Sequence, residues 1–232
     1  MVYNPWPLGK LPKNWWREEL ETLKNSGYDF NDPREINEIF EGKLAAFAGS
    51  KHAVLVDCAS NGIFLCLKYL GTTGEVIIPN RTYISVPMQI IHAGATPVLS
   101  EVEWSGIYKL ENTSIYDSAA RFAPNMYVGE NSLQVLSFQI KKRLPIGRGG
   151  AILTDDDSAA EWLRLARYDG RDLNSPYDSV NHVKQLGWHM YMTPEDAARG
   201  IILFDQLSSE YSDVANHTSY PDISSWLNQI MH

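Results

Sequence analysis

AVLVDCASNGIFLCLKYL, residues 53–70, is the stretch of sequence that decides the fold. Residues 53–57 form a short, largely apolar run, residues 58–61 are small and mostly polar, and residues 62–70 are again largely apolar. This order is typical of a buried strand, a tight turn and a buried helix. The stretch therefore predicts one strand-turn-helix unit.

The same alternation recurs further along the chain. EVIIP (75–79) precedes a polar turn and the apolar segment 83–95, and the apolar run TPVLSEV (96–102) follows directly. Strands that alternate with helices at short intervals form parallel sheets, so we predict an α/β fold with a mostly parallel central sheet flanked by helices. Further strands are predicted at 113–119, 133–139 and 149–155, and further helices at 159–168 and 193–207.

Three parts of the chain differ in their patterns. Asp32 followed by Pro33 is a helix-start signal, so the main domain is expected to begin there. We predict an N-terminal arm and helix (1–31), a large domain (32–210) and a polar C-terminal tail (211–232). The tail is expected to fray or to contact another subunit.

Composition and charge narrow the functional classes. The chain of 232 residues has a formal net charge of -8 with scattered Lys and Arg, which disfavours binding to nucleic acid and to anionic membranes. The spacing of Cys58 and Cys66 predicts neither a zinc site nor a disulfide, and no metal site is predicted. The sequence starts without a signal-peptide pattern and has no apolar run of ~18 residues, so a cytoplasmic location is expected.

The turns after the strands are candidate site positions, because open parallel sheets bind ligands at the carboxyl ends of their strands. In the turn CASN (58–61), the Ser60 hydroxyl and the backbone N–H groups at the start of the next helix would form a cradle for phosphate. The alternative is that Ser60 only caps the helix. Tyr83, after the next strand, could stack on a planar cofactor or could be an ordinary packing residue.

Asp117 and the segment SFQIKKRLPIGRGGAI (137–152) are the other candidates. Asp is disfavoured at the end of a strand, and a buried carboxylate needs a cationic partner such as a protonated pyridine nitrogen. A helix-capping or turn-forming Asp117 is the alternative. Ser137 is a second candidate for phosphate binding, and the glycines permit a close backbone path into the next strand. The two adjacent lysines could carry chemistry or could simply be solvated.

Six motifs follow one another along residues 34–207. They are EGKLAAFAGSKHAV (41–54), VDCASN (56–61), PNRTY (79–83), YDSAA (116–120), SFQIKK with GRGGAI (137–152) and LGWHMYMTPEDAARG (186–200). In this order they resemble the DegT/DnrJ/EryC1/StrS family of sugar aminotransferases, which depend on pyridoxal 5'-phosphate (PLP). The resemblance implies the large domain of the PLP-dependent transferase fold type I.

The resemblance also assigns roles to individual residues. Lys142, five residues after Ser137, would be the Schiff-base lysine that binds PLP covalently, which selects it over its neighbour Lys141. Asp117 would pair with the pyridine nitrogen, and Tyr83 would stack on the ring. The residues that would bind the phosphate are Ala59, Ser60 and Ser137.

The function that the resemblance implies is amino-group transfer to a nucleotide-linked keto sugar, in surface polysaccharide or amino-sugar biosynthesis. Glutamate is the expected amino donor. Sites of the family are completed across a subunit interface, so a homodimer is expected. His189 stands in the last motif where Asn is common, and it is a candidate phosphate donor, with ordinary packing as the alternative.

The chain also departs from the family pattern. Ala120 stands where Gln or a similar polar residue is usual, and Phe122 where His is common. Only residues 100–116 span a region that normally holds a further strand and helix, and the chain stops at His232, so the small C-terminal domain is expected to be largely missing. These differences leave a catalytically impaired binding or assembly protein as an alternative. A PLP-dependent sugar dehydratase is a weaker one, because such dehydratases carry His where this chain has Lys142.

Overall fold

The computed structural model of the protein describes residues 18–176, 181–208 and 210–231. Residues 1–17 of the predicted N-terminal arm lie outside these ranges. None of the helices in the described ranges has the length and apolar character that a membrane crossing needs. The α-helices in these ranges are α1 (Glu18–Asn25), α2 (Glu35–Ala48), α3 (Ala59–Tyr69), α4 (Ser85–Ala93), α5 (Asp157–Ala166), α6 (Pro194–Phe204) and α7 (Ser224–Met231).

The strands of the described ranges form two sheets that touch. They are β1 (His52–Val56), β2 (Glu75–Pro79), β3 (Thr96–Ser100), β4 (Tyr108–Leu110), β5 (Ile115–Asp117), β6 (Leu133–Ser137) and β7 (Gly150–Thr154). The larger sheet has the order β1-β7-β6-β5-β4, and β2 pairs in parallel with β3. The sheets are joined where Ile77 and Glu111 exchange backbone hydrogen bonds with N···O distances of 3.3 and 2.9 Å.

Strand pairing in the larger sheet is mixed. β5 and β6 are parallel, whereas β7 is antiparallel to both of its neighbours and β4 is antiparallel to β5. Because the contact between β2 and β4 is antiparallel too, β4 and β7 oppose the direction of the other strands in the described ranges. The predicted α/β fold is confirmed, but the mostly parallel sheet must be corrected to a mixed one. β4 and β5 are joined only by residues 111–114, a connection too short for the crossover that a parallel pair needs.

Helices cover both faces of the sheet, as the alternation along β1 illustrates. Val54 and Val56 belong to an apolar core that includes residues of α3, α4 and α5. Ala53 and Leu55 belong to a second core that includes residues of α1, α2 and α6. Successive strand residues point to opposite faces, so an unbroken apolar strand is buried on both sides. The ends of the strands, rather than their faces, are therefore free to meet a ligand.

Helix starts differ from the predicted ones by a few residues. α2 begins at Glu35, because Asp32 caps a preceding turn, in which its Oδ1 accepts a hydrogen bond of 2.9 Å from the Arg34 N–H. The Glu35 Oε1 in turn accepts a hydrogen bond of 3.1 Å from the Asp32 N–H. α4 begins at Ser85, so Pro87 lies in the first turn, where its missing N–H removes no helical hydrogen bond.

Candidate active site

A cavity of about 520 Å³ lies at the carboxyl ends of β1, β2, β5 and β6. Its volume is within the ~300–1,000 Å³ that is usual for small-molecule sites. The sheet thus brings together turns that are far apart in the sequence. The cavity is lined by six of the seven predicted site residues, Ala59, Ser60, Tyr83, Asp117, Ser137 and Lys142.

Asp117 is the buried acid of the cavity and is 7% exposed. Its Oδ1 accepts a hydrogen bond of 2.9 Å from the Ala119 N–H, and its Oδ2 accepts one of 2.7 Å from the Tyr108 hydroxyl. Burial raises the pKa of the Asp117 carboxyl, and the two hydrogen bonds together with the charge of Lys142 oppose that rise. The alternative that Asp117 forms a turn is correct, because its bond from the Ala119 N–H closes a turn. The Asp117 side chain also lines the cavity, so forming the turn is only part of its role.

Lys142 and Lys141 are adjacent but differently placed. Lys141 is exposed, whereas Lys142 is half-buried. Burial lowers the pKa of the Lys142 amine, and the negative charge of Asp117 opposes this only in part. A lysine with a lowered pKa is more often neutral and is therefore a better nucleophile. The alternative that the lysines are simply solvated does not hold for Lys142.

The start of α3 forms the end of the cavity that suits an anion. Cys58, and not Ser60, is the N-cap residue, since the Cys58 Sγ accepts a bond of 3.4 Å from the Asn61 N–H. The alternative that Ser60 caps the helix is therefore wrong. Its hydroxyl oxygen lies 2.6 Å from that of Ser85, the first residue of α4. The backbone N–H groups of Ala59 and Ser60 lie at the helix N-terminus, where such groups lack helical partners and attract anions.

Gly150 lets the return strand pass close to this helix start. A Cβ atom there would lie 2.8 Å from the Ala59 nitrogen and 2.6 Å from the Leu136 carbonyl oxygen. Any other residue at this position would push β7 away from the start of α3 or from β6. The predicted close path of the glycine segment is thus a geometric requirement of the site.

Arg148 is a cavity residue that the sequence analysis did not select. Its Nη2 lies 2.8 Å from the Asp57 Oδ2, and its Nε donates a bond of 3.2 Å to the Asp57 carbonyl oxygen. Asn61 also donates to both carboxylate oxygens of Asp57, at 2.8 and 3.0 Å. The guanidinium and the Asp57 carboxylate thus form an ion pair beside the start of α3. The signal in the sequence was the Arg between two glycines of the segment 147–149.

An aromatic wall was also missed. It consists of Trp104, Tyr108 and Tyr220, whose rings pack with centroid distances of 5.0 Å (Trp104 to Tyr108) and 5.7 Å (Trp104 to Tyr220). Tyr83 is 58% exposed and lines the same cavity, so it is not an ordinary core residue. Tyr108 belongs to β4, which has only three residues and gives too short a pattern for sequence prediction.

Residues 213–220, which we call the C-terminal strap, form one side of the cavity. Both carboxylate oxygens of Asp213 lie 2.8 Å from guanidinium nitrogens of Arg121. The backbone N–H of Val214 donates a bond of 2.9 Å to the Ala120 carbonyl oxygen. The sequence predicts a tail that frays or reaches another subunit, whereas the strap packs on the large domain of its own chain.

The two substituted family positions near Asp117 have structural explanations. Ala120 is 4% exposed and its backbone holds the C-terminal strap. Phe122 packs against Phe47, with 4.8 Å between ring centroids, and belongs to the core beneath α2 and α6. The cavity therefore receives no polar side chain from either position.

His189 is the predicted site residue that does not line this cavity. Its Nδ1 lies 3.1 Å from the Asp169 Oδ2, and its side chain is 67% exposed. Its ring meets Tyr191 edge to face at 4.8 Å between centroids. A role of His189 in phosphate binding would have to be exerted on a neighbouring subunit, and it stays a prediction.

Comparison with known proteins gives a family match over most of the chain. The model of the DegT/DnrJ/EryC1/StrS aminotransferase family matches residues 17–112 and 119–220. The spore coat polysaccharide biosynthesis protein SpsC of Bacillus subtilis (strain 168) is 28% identical over 246 residues, which cover 85% of this chain and 62% of SpsC. The GDP-perosamine synthase of Caulobacter vibrioides is 26% identical over 211 residues, which cover 72% of this chain and 56% of that enzyme. The chain thus spans less than two thirds of the length of these relatives.

The fold of this chain resembles those of solved structures. DesV of S. venezuelae has a TM-score of 0.64 at 24% identity, and the match covers 81% of this chain and 60% of DesV. PseC of Helicobacter pylori, described as an aminotransferase of pseudoaminic acid biosynthesis, also has a TM-score of 0.64, at 19% identity, with 81% of this chain and 61% of PseC covered. The predicted fold type is confirmed by these matches.

Proposed function

The chain belongs to the DegT/DnrJ/EryC1/StrS aminotransferase family, and on that premise we propose that it is a PLP-dependent aminotransferase acting on a keto sugar carried by a nucleotide. One observation carries the proposal. A half-buried lysine with a lowered pKa, Lys142, lines the same cavity as the buried carboxylate of Asp117 and the N-terminus of α3. These are an amine, an anion and an anion-binding site, which are three groups that PLP requires.

The residues present fit PLP at each of its functional groups. The Lys142 amine suits the aldehyde, the Asp117 carboxylate suits the ring nitrogen, and the N–H groups of Ala59 and Ser60 suit the phosphate. The missing Cβ of Gly150 keeps the phosphate end open. When bound, PLP supplies an electron-withdrawing ring that stabilises negative charge on the carbon that carries the transferred nitrogen.

Lys142 would serve twice, as the covalent anchor and as the proton carrier. With its amine free, the Nζ would accept a proton from the substrate carbon and later donate one. A lowered pKa suits both steps, because a neutral amine is needed to accept a proton. The charge of Asp117 would help to hold the protonated amine near the cavity.

Asp117 would keep a proton on the ring nitrogen, and the other residues would hold the cofactor still. Tyr83, exposed at the cavity, would stack on the ring, and Ser137 with the start of α3 would bind the phosphate. Arg148, which is paired with Asp57, would be a further N–H donor at that end. Trp104 and Tyr220, which also line the cavity, would help to exclude water from it.

The substrates are proposed from the names of the relatives. SpsC is named for spore coat polysaccharide biosynthesis and the second relative for GDP-perosamine synthesis, so a nucleotide-linked keto sugar is the proposed acceptor. With glutamate as donor, the amino acid would become a keto acid as the sugar ketone becomes an amine. The homodimer and the cytoplasmic location stay predictions.

Cofactor attachment is the direct test. The protein is incubated with PLP, reduced with borohydride and digested, and the labelled peptide is identified by mass spectrometry. We expect the label on Lys142, its loss in Lys142→Ala and its retention in the matched control Lys141→Ala. Addition of glutamate before reduction should bleach the visible absorbance and lower the labelling.

Two outcomes would contradict the proposal. Failure of the folded wild type to take up PLP would favour the non-catalytic binding or assembly protein. A label on Lys141 would place the anchor one residue away from the half-buried position.

A further inference from the structure

Two buried hydroxyl groups form a hydrogen-bonded chain that ends at Asp117. The Tyr108 hydroxyl donates a hydrogen bond of 2.7 Å to the Asp117 Oδ2, and the Thr82 hydroxyl bonds to the Tyr108 hydroxyl. Thr82 is 2% and Tyr108 7% exposed. Because Tyr108 has a single proton and directs it to Asp117, the Thr82 hydroxyl must be the donor in the second bond. The donor chain therefore runs from Thr82 through Tyr108 to the carboxylate.

Strand pairing fixes Tyr108 in this position. Tyr108 is directly opposite Asp117 in the antiparallel pair of β4 and β5, so both side chains lie on the same face of the sheet. Trp104 packs on the Tyr108 ring, and its Nε1 donates a bond of 2.9 Å to the Arg81 carbonyl oxygen. Tyr108 is thus held by its strand, by a neighbouring ring and by the Thr82 hydroxyl.

We propose that Tyr108 is a positioning residue that holds Asp117 ionised and fixes the direction of its carboxylate toward a cationic ligand group in the cavity. The inference rests on the proposed function, in which that group is the PLP ring nitrogen. Oδ1 is held by the Ala119 N–H and Oδ2 by Tyr108, and each oxygen keeps a lone pair for the ligand. Loss of the Tyr108 bond would leave a buried carboxylate with one donor.

The charged and titratable groups around Asp117 are consistent with this role. Lys142 is the nearby cation, and Tyr108 and Tyr220 are the neighbouring phenols. Burial and the charge of Asp117 raise the pKa of Tyr108 well above its usual value, so the phenol stays protonated and remains a donor. The negative charge of Asp117 also raises the pKa of Tyr220, although less than burial does.

The first test uses the full chain without added PLP. Carbon-13 NMR of carboxyl-labelled aspartate follows the titration of Asp117, whose signal is assigned by its loss in Asp117→Asn. We expect Tyr108→Phe to raise the pKa of Asp117. Tyr116→Phe is the matched control, because it removes the same oxygen from the adjacent β5 residue and should leave the titration unchanged.

The second test measures PLP affinity by fluorescence titration. We expect Tyr108→Phe to weaken PLP binding about tenfold near neutral pH, as for the loss of one hydrogen bond to a charged group. The ratio of the variant to the wild-type dissociation constant should increase as the pH falls. A purely structural role of Tyr108 would give a ratio that does not depend on pH.

A further variant keeps the inference testable if Tyr108→Phe fails to fold. Thr82→Val removes the donor to the Tyr108 oxygen and should raise the pKa of Asp117 by less than the loss of Tyr108 does. An unchanged Asp117 titration in the folded variants would overturn the role of Tyr108. Absence of PLP binding to wild type, with the Asp117 titration shifted as expected, would instead overturn the proposed function alone.

Discussion

The pair of Glu41 and Arg167 and the pair of Asp117 and Lys142 each combine an acid with a base, but the two pairs are built differently. Glu41 of α2 and Arg167, directly after α5, are 5% and 6% exposed and form a direct salt bridge. Arg167 also donates a bond of 2.6 Å to the Leu55 carbonyl oxygen, and the Leu55 N–H donates one of 3.0 Å to Glu41. Both charges are thus met by partners, and this pair ties α2, β1 and α5 together.

Asp117 and Lys142 form the second pair, and they line a cavity instead of filling it. No salt bridge joins them in the part of the chain that the structure describes. The hydrogen bonds of Asp117 come from the Tyr108 phenol and the Ala119 backbone amide. Burial of Lys142 is only partly offset by the charge of Asp117, so the pKa of the amine is lowered. The direct contact of Glu41 and Arg167 ties elements of the fold together, whereas the absence of a salt bridge among the described residues leaves the Lys142 amine available for chemistry.

The largest expected effect is on activity, at the cavity pair. Lys142→Ala should lower aminotransfer by about 10³-fold or more, because the proton carrier is lost. It should not lower the free energy of unfolding, since a half-buried amine is removed. Steady-state kinetics and urea unfolding measure the two effects, with Lys141→Ala as control. A folded Lys142→Ala variant that retained activity would contradict the catalytic role that distinguishes the cavity pair from the pair of Glu41 and Arg167.

The next effect is on stability, at the direct pair. Glu41→Leu leaves Arg167 buried with its charge uncompensated, and should lower the free energy of unfolding by about 3–5 kcal/mol. Urea unfolding measures it. The double variant Glu41→Leu/Arg167→Met removes the stranded charge and should recover most of the loss. Equal stability of the single and double variants would show that charge is not the cause.

The cavity pair should also impose a pH dependence on stability. The pKa of Lys142 is lowered from 10.5, so between the lowered value and 10.5 the unfolded chain binds more protons than the folded one. The contribution of Lys142 to stability therefore rises with pH through that window. The contribution of Asp117 to stability changes in the opposite direction. Its pKa is raised above 3.8, so this contribution falls as the pH rises from 3.8 to the raised value. Unfolding of wild type and Lys142→Met from pH 7 upward should show a difference that increases in favour of wild type.

The smallest expected effect is at a partly exposed pair. Arg121 and Asp213 have side chains 35% and 21% exposed, so the double-mutant cycle Arg121→Ala, Asp213→Ala should give a coupling energy of about 0.5–1 kcal/mol. Faster hydrogen exchange of residues 213–220 in either variant would accompany it. A coupling energy as large as the loss expected for Glu41→Leu would mean that the difference in burial does not explain the difference in strength between the two ion pairs.

Much of the fold follows from local patterns, because strands such as residues 53–57 are buried on both faces and read as unbroken apolar runs. The direction of β7 could not be predicted in this way, since an apolar run carries no information about its partner. β4 was missed because three residues are too few to display a period. Its pairing with β5 depends on contacts between chain segments and not on propensity.

The candidate site was predictable where a residue follows a strand. Ser60, Asp117 and Ser137 lie at strand ends, and the sheet carries those ends to one place. Tyr108 and Tyr220 were not predictable, because they reach the cavity from β4 and from the C-terminal strap. Lys142 is intermediate between these cases, since its spacing from Ser137 in the resemblance distinguished it from Lys141 and its partial burial supplied the physical reason.

The C-terminal strap has a consequence for the order of events during synthesis. Residues 214–220 are the last of the cavity-lining residues to leave the ribosome, long after Lys142. The segments that supply the sheet ends are therefore synthesised before the segment that forms the final side of the cavity. A chain that lacks the C-terminal strap would present those sheet ends without this side.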